Sequence, residues 1–221
     1  SEAVGEKICK VMDLALKNNV LWAYVMPLSM EYLVFSALFA LTILLAYGIG
    51  GLMDFSIPII FLGIIGWTFT IDNLYPYGRF TPFQIFVPTT AMLAANVLNL
   101  LGYQTEWTGE SLGTPLLKAW NSKSETEFGI AWPCSGVESL LIYTVTILLF
   151  LKNTVIPWKR RIIYFVIGAM ITYFINILRI VTIFVISINT GGGYTPQVER
   201  FHNYYGQLYS IIWIISYPLI T

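Results

Sequence analysis

The stretch Gly129-Ile130-Ala131-Trp132-Pro133-Cys134-Ser135-Gly136-Val137-Glu138-Ser139 joins the longest polar segment of the chain to an uncharged apolar run. The polar segment covers residues 104–128, and the apolar run covers residues 140–151. We interpret the junction as a helix start, because the fixed φ of Pro133 suits a first helical turn. A cysteine there lies beside unpaired backbone N–H groups, which favour the thiolate and make Cys134 a candidate nucleophile. The alternative is that Cys134 is a small buried side chain at a helix end.

The composition is that of an integral membrane protein. Of the 221 residues, 57% are hydrophobic and only 11% are charged, whereas about 25% are charged in an ordinary soluble domain. The net charge is zero and there is no basic tract, so we expect no nucleic-acid partner. The two cysteines, Cys9 and Cys134, give no disulfide framework. One cysteine and one histidine do not make a zinc site, and we expect neither a metal nor a cofactor.

The apolar runs predict an all-α, polytopic bundle of at least six membrane helices, since about 20 residues cross the hydrocarbon. Residues 1–27 are predicted to form an amphipathic N-terminal segment, because charges interrupt apolar residues at helical spacing. Residues 28–221 are predicted to form the transmembrane domain. The chain lacks an initial Met and stops inside an apolar run, so we expect the protein to extend beyond both ends. The predicted spans are approximately 32–53, 55–71, 80–102, 134–151, 162–188 and 204–221.

Basic residues in the short loops set the predicted orientation. Lys152, Lys159, Arg160 and Arg161 lie between the fourth and fifth spans, and short cytoplasmic loops carry an excess of Lys and Arg. Alternation of the spans then places the loops 104–128 and 189–203 outside the cytoplasm. The sequence therefore predicts a multi-pass protein of the cell membrane.

Three reactive side chains are predicted to lie at one depth. Cys134 and Arg179 are equally many residues from the inner ends of their spans, which places both about 25 Å above the cytoplasmic surface at 1.5 Å per residue. His202, the only histidine, comes just before the sixth span on the same outer side. Taken singly, Arg179 could instead extend to the outer headgroups, and His202 could be an interfacial loop residue.

Other polar residues are candidates for the surroundings of this site. Asn176 and Arg179 continue a polar stripe on one face of the fifth span, and polar groups within spans usually face protein or water. Glu138 is one turn beyond Cys134; it could orient a base, although a structural ion pair with Arg179 is the simpler interpretation. Asn96 and Asn99 share a face of the third span and could line the site or only pack between helices.

The chemistry available to such a set is acyl transfer. A Cys134 thiolate attacks a peptide carbonyl, and His202 acts first as base and then as acid for the leaving amine. Arg179 would stabilise the oxyanion that develops in a site of low dielectric.

These residues resemble a known family, the exosortases and archaeosortases. Pro133-Cys134-Ser135-Gly136 is similar to the family's nucleophile motif, Asn176-Ile177-Leu178-Arg179 to its Asn-x-x-Arg motif, and Phe201-His202 to its third catalytic position. The resemblance implies a membrane cysteine transpeptidase with Cys134, Arg179 and His202 as its triad. Archaeal members often have Arg at the third position, so Arg200 is the alternative to His202. Residues 79–84 also resemble the archaeal branch.

The same resemblance implies the substrate. Family members process precursor proteins that carry a C-terminal sorting signal, made of a recognition motif, a transmembrane segment and a basic tail. They cut outside the cytoplasm and transfer the new C-terminus to a lipid or similar acceptor. A cysteine protease that uses water as acceptor remains open. So does a non-enzymatic membrane subunit or transporter with a polar path around Arg179, which would need polar residues in the cytoplasmic half of the spans.

Overall fold

The computed structural model describes residues 21–74, 85–111, 114–152 and 154–220. The chain divides into two units, residues 1–81 and residues 82–221, and each is described separately. Residues 1–20 of the predicted amphipathic segment, and residues 75–84, which include the start of the predicted third span, lie outside the described residues.

The first unit is a pair of packed helices, α1 (Leu21–Asp54) and α2 (Ser56–Leu74). The two helices touch along their length: Tyr32 stacks on Phe69 with ring centroids 5.7 Å apart. The helix α1 is broken at Gly48, whose φ of 67° is outside the helical region. The helix continues past this break to Asp54, one residue beyond the predicted end of the first span. Because α1 begins at Leu21, the predicted boundary after residue 27 falls inside a helix.

The second unit combines helices with a small sheet. In chain order, its elements are α3 (Val87–Leu100), β1 (Gln104–Ser111), β2 (Thr114–Trp120), β3 (Glu125–Gly129), a 3-10 turn (Trp132–Ser135), α4 (Val137–Lys152), α5 (Trp158–Asn189), α6 (Pro196–Arg200), a π turn (Phe201–Tyr205) and α7 (Gly206–Ile220).

The predicted polar loop 104–128 is instead an antiparallel sheet in the order β1-β2-β3, so the all-α prediction was wrong in this segment. The residues of β3 alternate: Thr126 is buried, whereas Glu125 and Glu127 are exposed. This is the period of two that a half-buried strand requires. The inner face packs on the end of α5, where Phe128 meets Phe184 edge to face and Ser187 Oγ donates to Thr126 Oγ1 at 2.7 Å.

The long helix α5 has two different faces. One face is apolar and exposed, as expected of a surface in contact with lipid. The opposite face buries small and polar residues, among them Gly168, Thr172 and Asn176. The exposed apolar residues are Ile162, Ile163, Val166, Ile167, Met170, Phe174 and Leu178.

Two described helices are long and apolar enough to cross a membrane, Met30–Asp54 and Trp158–Asn189. Two further apolar helices are shorter, Ser56–Ile71 and Val87–Leu100. These helices agree with the membrane character predicted from composition, and the count of six membrane helices stays a prediction.

Two tyrosines, Tyr143 and Tyr217, pack together at the end of the second unit that lies away from the sheet. Tyr143 and Tyr217 donate to backbone carbonyls of α5, and both rest against Gly168. A Cβ added at Gly168 would overlap the Tyr143 hydroxyl. This glycine therefore permits the close approach of α4, α5 and α7.

We expect Gly168→Ala to lower the midpoint of thermal unfolding of the detergent-solubilised protein by several degrees. Overpacking of this kind costs about 1–3 kcal/mol. Gly63→Ala is the matched control, since its added Cβ would meet Ser36 at an ordinary 3.7 Å and alanine is the better helix former. Equal midpoints for the two variants would contradict the packing described for Gly168.

Candidate active site

The turn that carries Cys134 is separate from the helix that follows it. Ser135 Oγ donates to the Trp132 carbonyl at 2.6 Å, which closes the turn. Gly136 then adopts a left-handed φ of 93°, and α4 begins only at Val137. Pro133 lies in the first turn, as predicted, but that turn is the 3-10 turn. Cys134 therefore precedes the α-helix rather than occupying its first turn, and the predicted stabilisation of a thiolate by that helix is weaker.

A fully buried threonine holds this turn from α3. Thr90 Oγ1 lies 3.0 Å from the Ser135 carbonyl oxygen and 2.7 Å from the Tyr173 hydroxyl. The Phe86 carbonyl oxygen also lies 3.0 Å from Thr90 Oγ1, so the single hydroxyl proton is shared between two carbonyls and Thr90 accepts from Tyr173. The turn that carries Cys134 is thus in contact with α3 and α5 through one side chain.

Asn176 holds the same turn from α5. Its Nδ2 donates to the Cys134 carbonyl at 2.9 Å, and the side chain is only 1% exposed. A Cβ on Gly136 would lie 3.0 Å from Asn176 Nδ2. Gly136 is therefore required both for the left-handed turn and for the space that Asn176 occupies.

His202 faces the thiol from the π turn. Its Nε2 lies 3.9 Å from Cys134 Sγ, and its Nδ1 lies 3.1 Å from Asn203 Oδ1. An amide oxygen only accepts, so Nδ1 carries the proton and the free electron pair of Nε2 points to the thiol. Tyr194 packs against the imidazole edge to face, with ring centroids 6.5 Å apart.

Arg179 is turned into the protein toward His202. Its Nη2 donates to the His202 carbonyl at 3.2 Å, and its Nε is buried without a hydrogen-bond partner. The stem passes over Gly206, where a Cβ would lie 3.0 Å from Nε. The proximity of Cys134, Arg179 and His202 that the depth comparison predicted is present.

Two opposing effects act on the Cys134 thiol, which lies outside the spanning helices. Burial is the larger and raises the pKa of Cys134 above its ordinary value, while the positive charge of Arg179 lowers it. The thiol is therefore protonated at neutral pH in the resting site. It needs a base at the moment of attack, and His202 Nε2 is in position to be that base.

Three predicted site residues, Arg200, Asn96 and Asn99, are not brought to this pair, whereas Glu138 lies close enough for its charge to raise the pKa of Cys134. Glu138 is half-buried in the first turn of α4, and in the described part of the chain no salt bridge joins it to Arg179, whose guanidinium is turned to the His202 carbonyl instead. Arg200 is exposed at the end of α6. Asn96 and Asn99 are also exposed, and Asn99 Oδ1 accepts from Thr105 beside β1 at 3.1 Å. Both lie outside the buried face of α3, and their role as site lining stays a prediction.

A pocket of about 120 Å³ lies between the sheet and the thiol–imidazole pair. Its walls are mostly apolar, which lowers the local dielectric around the reactive atoms. Among the described residues there is no group of three or more side chains that could hold a metal. The lining residues are Phe128, Gly129, Ile130, Cys134, Ile180, Ile183, Phe184, Tyr194 and His202.

Sequence reasoning missed four residues that this geometry makes important: Thr90, Tyr173, Tyr194 and Asn203. Thr90 sits in an apolar helix, where a lone threonine usually bonds its own backbone. Asn203 follows the only histidine in the sequence. A short polar residue next to a candidate base is a sequence signal from which its role could have been predicted.

We expect Gly206→Ala to lower enzymatic turnover by more than about tenfold. The added Cβ would lie 2.9 Å from the Phe201 carbonyl and 3.0 Å from Arg179 Nε, so the π turn that carries His202 and the Arg179 side chain must both shift, and a 1 Å misplacement can cost about a hundredfold. Ser210→Ala on the same helix is the control. It removes a buried hydroxyl that has no hydrogen-bond partner, so turnover is expected to stay within about twofold of the wild type. Equal rates for the two variants, measured at equal amounts of folded protein, would show that the position of Arg179 is unimportant.

Comparison with known proteins gives one match. A family model described as transmembrane exosortase matches residues 13–217, nearly the whole chain and all the residues of this site. No curated protein and no solved structure gives a significant match. The chain therefore belongs to the transmembrane exosortase family, whose members are membrane proteases and transpeptidases that act on C-terminal sorting signals.

Proposed function

We propose that the chain is a cysteine transpeptidase with Cys134 as nucleophile and His202 as general acid and base. It cleaves the C-terminal sorting signal of membrane-anchored precursor proteins and transfers the new C-terminus through a thioester. Arg179 supplies positive charge to the site and Asn203 orients the imidazole. Asn176 positions the nucleophile by holding its backbone.

The observation that carries this proposal is the 3.9 Å separation of Cys134 Sγ and His202 Nε2, at the wall of a pocket. A nucleophile, a base within reach and a third group that orients the base are the general requirements of covalent catalysis by a thiol. Cys134, His202 and Asn203 meet these requirements in the resting enzyme.

In the first half of the reaction, His202 Nε2 takes the Cys134 proton as the sulfur attacks the scissile carbonyl. The tetrahedral intermediate carries a negative oxygen, which the Arg179 charge stabilises at short range. The C–N bond then breaks, and His202 returns the proton to the leaving amine. The product of this half is a thioester between Cys134 and the new C-terminus.

In the second half, an acceptor with a hydroxyl or amine loses its proton to His202 and attacks the thioester. The C–S bond breaks, and the sulfur recovers the proton from His202. A lipid acceptor is favoured by exposed aromatic residues around the π turn, since tyrosines are enriched at the level of lipid headgroups. Tyr194, Tyr204, Tyr205 and Tyr209 are each at least 59% exposed.

We further propose a multi-pass topology with the site facing outside the cytoplasm. Lys159, Arg160 and Arg161 lie at one end of α5, and Arg179 is about 30 Å farther along that helix at 1.5 Å per residue. The bias of Lys and Arg toward cytoplasmic loops supports this orientation. Helices α2, α3, α4 and α7 would complete the six spans.

The rival interpretation, a transporter or non-enzymatic subunit, needs a polar path through the unit. The half of α5 before Gly168 presents exposed apolar side chains, and its inner contacts are tyrosine hydroxyls bonded to backbone. Polar side chains of α5 are buried only from Thr172 onward, toward the site. This distribution supports a closed active site at one end rather than a path.

We expect Cys134→Ala and Cys134→Ser to abolish processing of a membrane precursor that carries a C-terminal motif, span and basic tail. The precursor is taken from the same genome and co-expressed, and loss of its tail is followed by mass. The mass of the new C-terminus distinguishes water from a lipid acceptor. Arg200→Ala, at an exposed position outside the pocket, serves as control and is expected to process normally.

Cleavage that is equal in the wild type and in both Cys134 variants would exclude the cysteine mechanism. Loss of processing in Arg200→Ala, with the folded variant present at the wild-type level, would make Arg200 rather than His202 the third catalytic group.

We expect Asn203→Ala to lower kcat about tenfold with little change in KM, because the imidazole loses the partner that fixes its proton on Nδ1. Asn203→Asp should restore part of the rate and move the acid limb of the pH–rate profile to higher pH. The reason is that a carboxylate stabilises the protonated imidazole, which cannot act as base.

The control is Asn189→Ala, an exposed asparagine bonded only to its own helix. A wild-type pH profile in Asn203→Asp, together with an unchanged rate in Asn203→Ala, would remove Asn203 from the mechanism.

A further inference from the structure

The free edge of the sheet opens toward the reactive pair. The strand β3 is the last in the order β1-β2-β3, so only one of its edges is paired. Its final residue, Gly129, lines the same pocket as Cys134 and His202. An unpaired strand edge is a template for a further extended chain.

The pairing register shows which backbone groups face that edge. Ile130 N–H donates to the Pro115 carbonyl, and Asn121 N–H donates to the Ser124 carbonyl. Along an antiparallel strand, the backbone N–H and C=O of every second residue point to the same neighbouring strand. Since Ile130 is bonded to β2, the backbone groups of Phe128, two residues earlier, also point to β2. The N–H and C=O groups of Glu127 and Gly129 therefore point away from the sheet.

These outward groups have no backbone partner in the described part of the chain. The edge is closed at its other end, where Gly192 packs against the Glu125 carbonyl so tightly that a Cβ would overlap it. From Glu127 to Gly129 the edge is open and leads into the pocket.

From this geometry we infer that the sorting signal binds as an extended strand on β3, with its main chain hydrogen-bonded to Glu127 and Gly129. The inference rests on the proposed function and adds the mode of substrate binding to it. Addition of a strand takes its affinity from main-chain hydrogen bonds and its specificity from pockets for alternate side chains. One side chain of the bound segment enters the pocket against Ile180, Ile183 and Phe184, so an apolar residue next to the cleaved bond is preferred.

The occupant is peptide rather than lipid for two reasons. The edge offers donors and acceptors in alternation, at the spacing of a polypeptide main chain. It also ends where Cys134 Sγ and His202 Nε2 face each other, so an extended segment on the edge carries its carbonyl to the thiol.

The test removes one outward N–H at a time. Proline lacks the N–H and is tolerated at an unpaired strand edge, so Gly129→Pro is compared with Gly129→Ala, and Glu127→Pro with Glu127→Ala. Both members of the Glu127 pair lose the side-chain contact with Thr108, and both members of the Gly129 pair gain a Cβ near Thr114. Within each pair the proline member lacks the N–H and also has its φ fixed by the ring, so the N-methylated peptide series below tests the hydrogen bonds independently.

We expect each proline variant to show a kcat/KM for the precursor substrate at least tenfold below that of its alanine partner, mainly through KM. The rate of Cys134 alkylation by iodoacetamide should remain within twofold in all four variants, because the fold and the thiol are untouched. A synthetic sorting-signal peptide, N-methylated at successive residues, should lose cleavage at alternate positions.

Equal kcat/KM values within both pairs, or loss of cleavage at consecutive rather than alternate N-methylated residues, would overturn the strand-addition inference. The peptide series decides the matter if a proline variant fails to fold. Retained processing in Cys134→Ala would instead overturn the proposed function itself, so the two failures are distinguishable.

Discussion

The hydrogen bond from Asn176 Nδ2 to the Cys134 carbonyl is the contact on which the site depends. It joins the nucleophile turn to the long helix α5 at 2.9 Å and is buried from solvent. The same helix carries Arg179 one turn farther on, and Arg179 holds the backbone of His202. One helix therefore sets the position of both members of the reactive pair, which come from distant parts of the chain. A buried hydrogen bond from a side-chain amide is costly to break, because the carbonyl that accepts it would be left buried and unpaired.

Close packing at glycines makes this arrangement possible. Gly136 and Gly206 both pack against α5, where a methyl group would press on Asn176 and Arg179 respectively. Both polar side chains thus lie against backbone rather than against other side chains. Such contacts restrict the rotamers of Asn176 and Arg179, which pre-organises the charge and the hydrogen bonds around the thiol.

The proximity of Cys134, Arg179 and His202 could be predicted from the sequence, whereas the contacts between them could not. Helical rise is constant, so counting from the basic loop predicts one level for Cys134 and Arg179, and the start of the last apolar run predicts the same side for His202. Counting residues does not show which face of α3 is buried, because a helix embedded in lipid is apolar all around. The sequence therefore predicts that Asn96 and Asn99 face the interior, although both are exposed. The sheet could not be predicted from the many charges of residues 104–128, which are typical of a loop. In the structure, Leu117 and Ala119 are buried two residues apart on β2, and Thr126 is buried on β3, which is the period of a strand. The hydrogen bonds of Thr90 and Asn203 depend on side-chain geometry that no spacing along the chain specifies.

The position of Cys134 ahead of α4 bears on how the thiol is activated. Burial keeps the thiol protonated, so the enzyme does not carry a free thiolate exposed to oxidants in the resting state. Proton transfer to His202 then accompanies the arrival of a substrate carbonyl in the pocket.

The most direct measurement is the mass of the Cys134 peptide during turnover. Enzyme and precursor are mixed, quenched in acid within the first turnovers, digested and analysed with and without hydroxylamine, which cleaves thioesters. We expect the peptide that contains Cys134 to carry the N-terminal product of the substrate as a hydroxylamine-labile adduct, and the peptide that contains Cys9 to carry none. Cleaved product that accumulates while Cys134 remains unmodified, or an adduct on another residue, would contradict Cys134 as the nucleophile.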